Sequence, residues 1–238
     1  MSRTQGEGWP RPRAVAEHAV LLEFGETIAP EIVAAVAAFD HRLAAKPFPG
    51  FVESIPAFAS VMVIFDPLVT DHDAAIAALD ALLAEPHTAA DDAPPRVVEV
   101  ELCYDGEDMA PDLPAVCEMK GLDPEAAIAA HLSGEYRVVM YGFAPGYAYM
   151  SGTPEAIAVP RKTQAVRGVP AGTVIIAAQM CIITTIDAPT GWWRIGRSPT
   201  QILRPHADPA FLFEPGDSVR FRRISRAQYD EKMREAAS

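Results

Sequence analysis

The apolar positions near the start of the chain switch between two periods. "HAVLLEF" at 18–24 is an apolar run of strand length. "APEIVAAVAAFDHRLA" follows, with Ile32, Val33, Val36 and Phe39 at helical spacing behind Pro30, a residue suited to a first helical turn. "GFVESIPAF" and "SVMVIF" come next with almost no loop between them, which predicts a hairpin. "TDHDAAIAALDALLAE" predicts a second helix capped by Thr70 or Asp71, and a linker-like "PHTAADDAPP" leads to another strand, "RVVEVELCY". The resulting β-α-β-β-α-β order over 18–103 is that of a ferredoxin-like α+β unit, with residues 1–17 expected as a flexible tail.

Beyond "CYDGEDMAPDL" the pattern changes. Two short helices are predicted near 112–120 and 124–132, the second with Asp123 as cap and Pro124 at its first position. From Tyr136 onward, short β-rich runs alternate with Gly and Pro, which predicts a closed or partly closed barrel over 104–224. Residues 225–238 form a polar C-terminal tail.

Composition narrows the class. The chain has 238 residues, 50% of them hydrophobic, which suits a two-domain soluble protein. A net charge of −12 argues against a nucleic-acid surface. No apolar run approaches a membrane span, and the first residues lack the apolar stretch of a secretory signal. Three scattered cysteines, Cys103, Cys117 and Cys181, point to free thiols in a reducing compartment, so a cytoplasmic protein is expected.

Standard catalytic signatures are missing: there is no phosphate loop, dinucleotide fingerprint, nucleophile elbow or zinc-finger spacing. "DHD" at 71–73 stands where a helix start favours acidic residues, so it is assigned to capping. His131 is the one histidine near the Gly/Pro-rich segments, and a lone histidine is more often structural. Cys181, in "QMCII", has the setting of a buried small hydrophobe. What remains is a set of Gly/Pro clusters that also carry Tyr147, Tyr149, Arg161, Gln179, Trp192 and Arg197. An aromatic wall with a few convergent polar groups is the usual makeup of a small-molecule pocket, although the same clusters also suit plain barrel corners.

These clusters, in this order, resemble one family closely. It is known as the B subunit of 5-oxoprolinase, as allophanate hydrolase subunit 1, and as the KipI kinase-inhibitor family. Its "GF-x-PGF-x-Y-x-x-G" block is matched by Gly142, Phe143, Pro145, Gly146, Tyr147, Tyr149 and Gly152. Its "PR…VPAGSV" block is matched by Pro160, Arg161, Val169, Pro170, Ala171, Gly172 and Val174. "PTGWWRIGRSP" at 189–199 and "PGDSVRF" at 215–221 stand for its last two blocks.

The resemblance implies a cyclophilin-like barrel for the second domain. It also implies a partner of the type known as the 5-oxoprolinase C subunit or as allophanate hydrolase subunit 2. The activity it implies is ATP-dependent opening of 5-oxoproline to glutamate, with ATP and Mg2+ shared with or held by a partner. His131, Arg161, Gln179 and Arg197 are then expected as catalytic residues. Phe143, Pro145, Gly146, Tyr147, Tyr149 and Trp192 are expected to bind a cyclic amide, with Arg197 at the cationic end of the Trp192 pocket. Two other branches of the family act differently, one as kinase-inhibitor regulators and one in carboxyl transfer within urea or allophanate metabolism. The chain also departs from the family: a usual "GGQTGIYP" strand reads "AAQMCIITT", and "PGGW" reads "PTGW".

Overall fold

The computed structural model describes residues 8–86 and 94–236. Contacts divide the chain between Pro94 and Pro95 into two units. The first contains β1 (Arg11–Val15), β2 (Ala19–Glu23), α1 (Pro30–Ala45), β3 (Phe51–Pro56), β4 (Ser60–Phe65) and α2 (His72–Ala84). Its four strands form an antiparallel sheet in the order β1-β2-β4-β3. Val20, Leu22, Val61, Val63 and Phe65 on one sheet face pack with Ile32, Val36, Phe39 and Leu43 of α1 and Leu79 of α2. Pro30 starts α1, and the Asp71 carboxylate accepts the backbone N–H of Ala74, which settles "DHD" as a helix cap.

Two expectations for this unit change. Residues 11–15, assigned to a flexible tail, form the edge strand β1, where Pro12 is tolerated because an edge leaves N–H positions unpaired. The ferredoxin-like β-α-β-β-α-β order needs a last strand from "RVVEVELCY", but that strand belongs to the second unit. The first unit therefore runs ββαββα.

The second unit begins with that strand, β5 (Val97–Leu102), followed by α3 (Leu113–Lys120) and α4 (Pro124–Leu132). Then come β6 (Tyr136–Tyr141), β7 (Ala148–Ser151), β8 (Val166–Val169), β9 (Thr173–Ala177) and β10 (Met180–Ile183). The chain ends with β11 (Ala188–Thr190), β12 (Trp193–Arg197), β13 (Ser218–Arg223) and α5 (Arg226–Ala236). Seven strands pair in the order β12-β9-β10-β7-β6-β13-β5, and β8 with β11 makes a separate ribbon. β5 lies parallel to β13, and the Arg96 guanidinium holds the Asp217 carboxylate at the start of that pair. Asp217 also accepts the backbone N–H of Glu214, so the "PGD" turn and the strand pairing are secured together.

The two edge strands meet through a backbone bridge between Cys103 and Arg197, giving a nearly closed barrel. Strand alternation fills its interior with Val100, Leu102, Val138, Met150, Val174, Ile176, Cys181, Ile183, Ile195 and Val219. Val116, Cys117 and Ile128 of α3 and α4 pack into the same core. The polar tail is largely helical: Ser225 and Gln228 cap α5 reciprocally, and Tyr229 packs with Cys103, Met109 and Ile224. Among the described residues no helix is long and apolar enough to cross a membrane.

Candidate functional site

Alternation along β7, β9 and β10 sends every second residue to the outside of the barrel. There Ile175, Ala177 and Ile182 form an apolar floor beneath Tyr147 and Trp192, with Ala144, Tyr149 and Met180 packed against it. The Tyr149 and Trp192 rings meet edge to face at 5.9 Å, a favoured geometry for aromatic pairs. Trp193, one residue on, faces the interior core instead, and its indole N–H donates to the Pro160 carbonyl. The Trp192–Trp193 pair thus divides its two rings between the faces of the barrel wall.

The 142–147 loop completes the aromatic face. Gly142 donates to the Tyr147 carbonyl and Tyr147 to that of Ala144, forming a tight turn. Gly146 has φ +73°, and a Cβ there would press on the Thr185 methyl at 3.2 Å. The Pro145 carbonyl accepts the Thr185 hydroxyl, anchoring the loop from behind. Phe143 adopts φ +70° and leaves its ring 71% exposed, 5.1 Å from that of Tyr147. A bulky residue held in the left-handed region costs on the order of 1–3 kcal/mol, and such strain clusters at functional surfaces.

Polar groups reach one end of this face. Ala178 donates to the Val159 carbonyl and Lys162 to that of Gly191, so segment 159–162 runs past both the β9–β10 turn and the start of the tryptophan block. Arg161 sits in this segment, exposed and with no hydrogen bond or ion pair among the described residues. Gln179, in the turn, donates from its side-chain amide to Glu155.

Beneath lies a cluster that no sequence motif marks. The Asp112 carboxylate takes hydrogen bonds from the side chains of Lys162 and Arg194 and from the Arg194 backbone. Burial alone would raise its pKa, but these bonds outweigh burial and hold it at about 2. Lys162 lies 4.8 Å from the centre of the Trp193 ring. An acidic residue next to a helix-starting Leu-Pro in "PDLP" is the only local signal for this cluster.

Two predicted catalytic residues lie elsewhere. His131 is fully buried in the barrel core, its ring stacked on Phe221 at 5.0 Å. Burial raises the Tyr104 pKa, and the protonated Tyr104 hydroxyl is hydrogen-bonded to His131 Nδ1 at 2.7 Å. This leaves Nε2 facing Cys181 Sγ at 3.6 Å. Burial pushes the His131 pKa down to about 3 and the Cys181 thiol well up, so both groups stay neutral in the fold. Arg197 pairs with Thr173 while Trp193 pairs with Ile176, which puts Arg197 at the opposite end of β12 from the aromatic face. Five residues of strand separate it from Trp192 by roughly 16 Å. The expectation that the two share one pocket is corrected on that ground.

Residues 10–213 match the family described as carboxyltransferase domain, subdomain C and D. The chain is 36% identical over 226 residues to the 5-oxoprolinase B subunit of Bacillus subtilis (strain 168), covering 90% of this chain and 93% of that one. It is 32% identical over 217 residues to the protein of the same name from Escherichia coli O157:H7, covering 87% and 93%. The crystal structure of TTHA0988 superposes with a TM-score of 0.76 at 32% identity, over 88% of this chain but 40% of that one. The chain therefore spans well under half of TTHA0988. Kluyveromyces lactis urea carboxylase shares the fold alone, with a TM-score of 0.72 at 16% identity over 94% of this chain and 22% of that one. With the family match spanning most of its length and relatives above 30% identity along nearly all of it, the chain belongs to the carboxyltransferase subdomain C and D family, together with the 5-oxoprolinase B subunits.

Proposed function

We propose that this chain is the B subunit of a 5-oxoprolinase, working with a second subunit to open the lactam of 5-oxoproline to glutamate. The observation that carries this reading is end-to-end similarity to proteins named as 5-oxoprolinase B subunits, which holds from the first unit through the aromatic face. The word "subunit" in those names, and a TTHA0988 chain more than twice as long, support a partner that supplies the rest of the site.

On this reading the cyclic amide lies on the aromatic face. Trp192 and Tyr149 offer an apolar wall to its ring. The Gln179 amide, which both donates and accepts, suits a lactam N–H and C=O. The unpaired Arg161 guanidinium suits the ring carboxylate. Phe143, held outward, faces the partner. His131 takes no part, because it is sealed and neutral in the core.

Hydrolysis of an unstrained amide by this complex is taken to consume ATP with Mg2+. Among the described residues no group of three or more His, Cys, Asp or Glu side chains stands together to hold the metal. The nucleotide is taken to be shared with or held by a partner subunit. Three buried free thiols fit a cytoplasmic setting.

The test is to co-express the chain with its second subunit, add the third protein, and measure 5-oxoproline-dependent ATP hydrolysis and glutamate release. The expected result is turnover that Trp192→Ala reduces by at least about ten-fold while assembly persists. An assembled complex that does not turn over 5-oxoproline overturns the reading.

A further inference from the structure

A cavity lies behind the 142–147 loop, with Thr185 and Leu203 in its wall. It has a volume of about 230 Å3 and is lined by Gly172, Arg197, Thr200, Gln201, Ile202 and Met233, among others. Arg197, like Arg161 and Arg204, holds no carboxylate among the described residues. Arg96, Arg194, Arg222, Arg223 and Arg226 each hold a carboxylate. Arg197 makes no ion pair among the described residues, although it is partly buried in a strongly acidic chain.

Its guanidinium is incompletely satisfied. Nη2 donates to the Ala171 carbonyl at 2.9 Å, while Nε is shut off from solvent with no partner among the described residues. The side chains of Thr200 and Gln201 also make no hydrogen bond among the described residues, so both remain available at the wall. Gly172 preserves the geometry: φ is +78°, and a Cβ would lie 2.7 Å from the Ser198 carbonyl. Ile202, Leu203, Pro199 and Met233 give the wall an apolar side, while the Thr184, Thr185 and Ser198 hydroxyls that also line it already donate to backbone carbonyls.

We propose that this cavity is a ligand site for a small organic acid, with Arg197 taking its carboxylate and Met233 of α5 closing over its apolar body. One guanidinium and two neutral polar side chains match a planar carboxylate, whereas a phosphate calls for more donors and more charge. Neither Trp192 nor Tyr149 lines the cavity, and the proposal does not rest on the 5-oxoprolinase reading, which is judged by turnover of the assembled complex.

The test is calorimetric titration of the purified chain with isovalerate, butyrate and inorganic phosphate, none of which is a substrate or product of the proposed reaction. The expected result is binding of at least one organic acid, weakened about ten-fold or more by Arg197→Gln and by Met233→Trp but unchanged by Trp192→Ala. Arg197→Gln keeps the backbone that closes the barrel, and Met233→Trp alters only an exposed helix position, so the two variants check each other. The proposal fails if no organic acid binds at millimolar concentration, if binding survives both substitutions, or if phosphate binds more tightly than every acid.

Discussion

Cys103 and Arg197 exchange both backbone hydrogen bonds, at 2.7 and 2.9 Å, and this one pair joins the two edge strands of the seven-stranded sheet. Immediately beside it, Gly196 packs so closely that a Cβ would lie 3.2 Å from the Cys103 carbonyl and 3.3 Å from the Tyr104 ring. Gly196→Val is expected to spread the closure and destabilise the fold by about 2 kcal/mol. Urea denaturation measures the loss. Faster hydrogen exchange at the Cys103 and Arg197 amides would place it at the bridge.

His131 links stability to pH. Its folded pKa of about 3 lies below the ordinary value of 6.5, so between these values the unfolded chain binds a proton that the folded chain refuses. Stability is expected to fall as pH drops from about 6.5 toward 3, by up to about 1.4 kcal/mol per pH unit from this group. His131→Gln should be less stable at neutral pH yet lose that slope. Denaturation midpoints from pH 7 to pH 4 decide it, and an unchanged slope would remove His131 as the cause.

Asp112 acts in a lower window. Its pKa of about 2, below the ordinary value of 3.8, means that its stabilisation is present above the unfolded value and lost as pH falls toward 2. Asp112→Asn leaves Lys162 and Arg194 mostly buried without their counter-charge. The expected cost at neutral pH is roughly 3 kcal/mol. Lys162→Met combined with Asp112→Asn should recover part of it in a double-mutant cycle.

Ala178 occupies the first position of the two-residue turn between β9 and β10, with φ +50°. The resembled family has glycine there, and such turns favour glycine at a positive φ. Ala178→Gly is expected to stabilise the chain by about 1 kcal/mol in thermal or urea unfolding. No gain would mean that the turn relaxes in solution.

Arg161 carries no internal bond among the described residues, so its loss should not affect folding. On the proposed function, Arg161→Ala raises the KM for 5-oxoproline by about ten-fold or more in the assembled complex, with an unchanged melting temperature. A KM unaffected by this change would separate Arg161 from substrate binding.

Much of this was legible in the sequence, because the signals were local. Pro30, Asp71 and Asp123 mark helix starts through contacts within a few residues, and each helix begins there. Alternation separated the two tryptophans, and short Gly/Pro-punctuated strands announced a barrel. Other features depended on partners distant in the chain. Nothing in "RVVEVELCY" tells whether it ends the first sheet or pairs with "SVRFRR" at the far end of the sequence. The parallel pairing with β13 and the Arg96–Asp217 contact decide that.

The candidate site divides along the same line. The sequence by itself determined the family blocks, the aromatic composition of the face and the residues available for chemistry, since these depend on residue type and spacing. Tertiary structure alone decided that His131 lies in a sealed core, that the segment carrying Arg161 runs beside the start of the tryptophan block, and that Arg197 lies at the other end of β12 beside a cavity. The physical reason is that burial and proximity come from packing between strands. A residue's pKa and its neighbours follow from which faces meet, and the order of residues along the chain does not specify that.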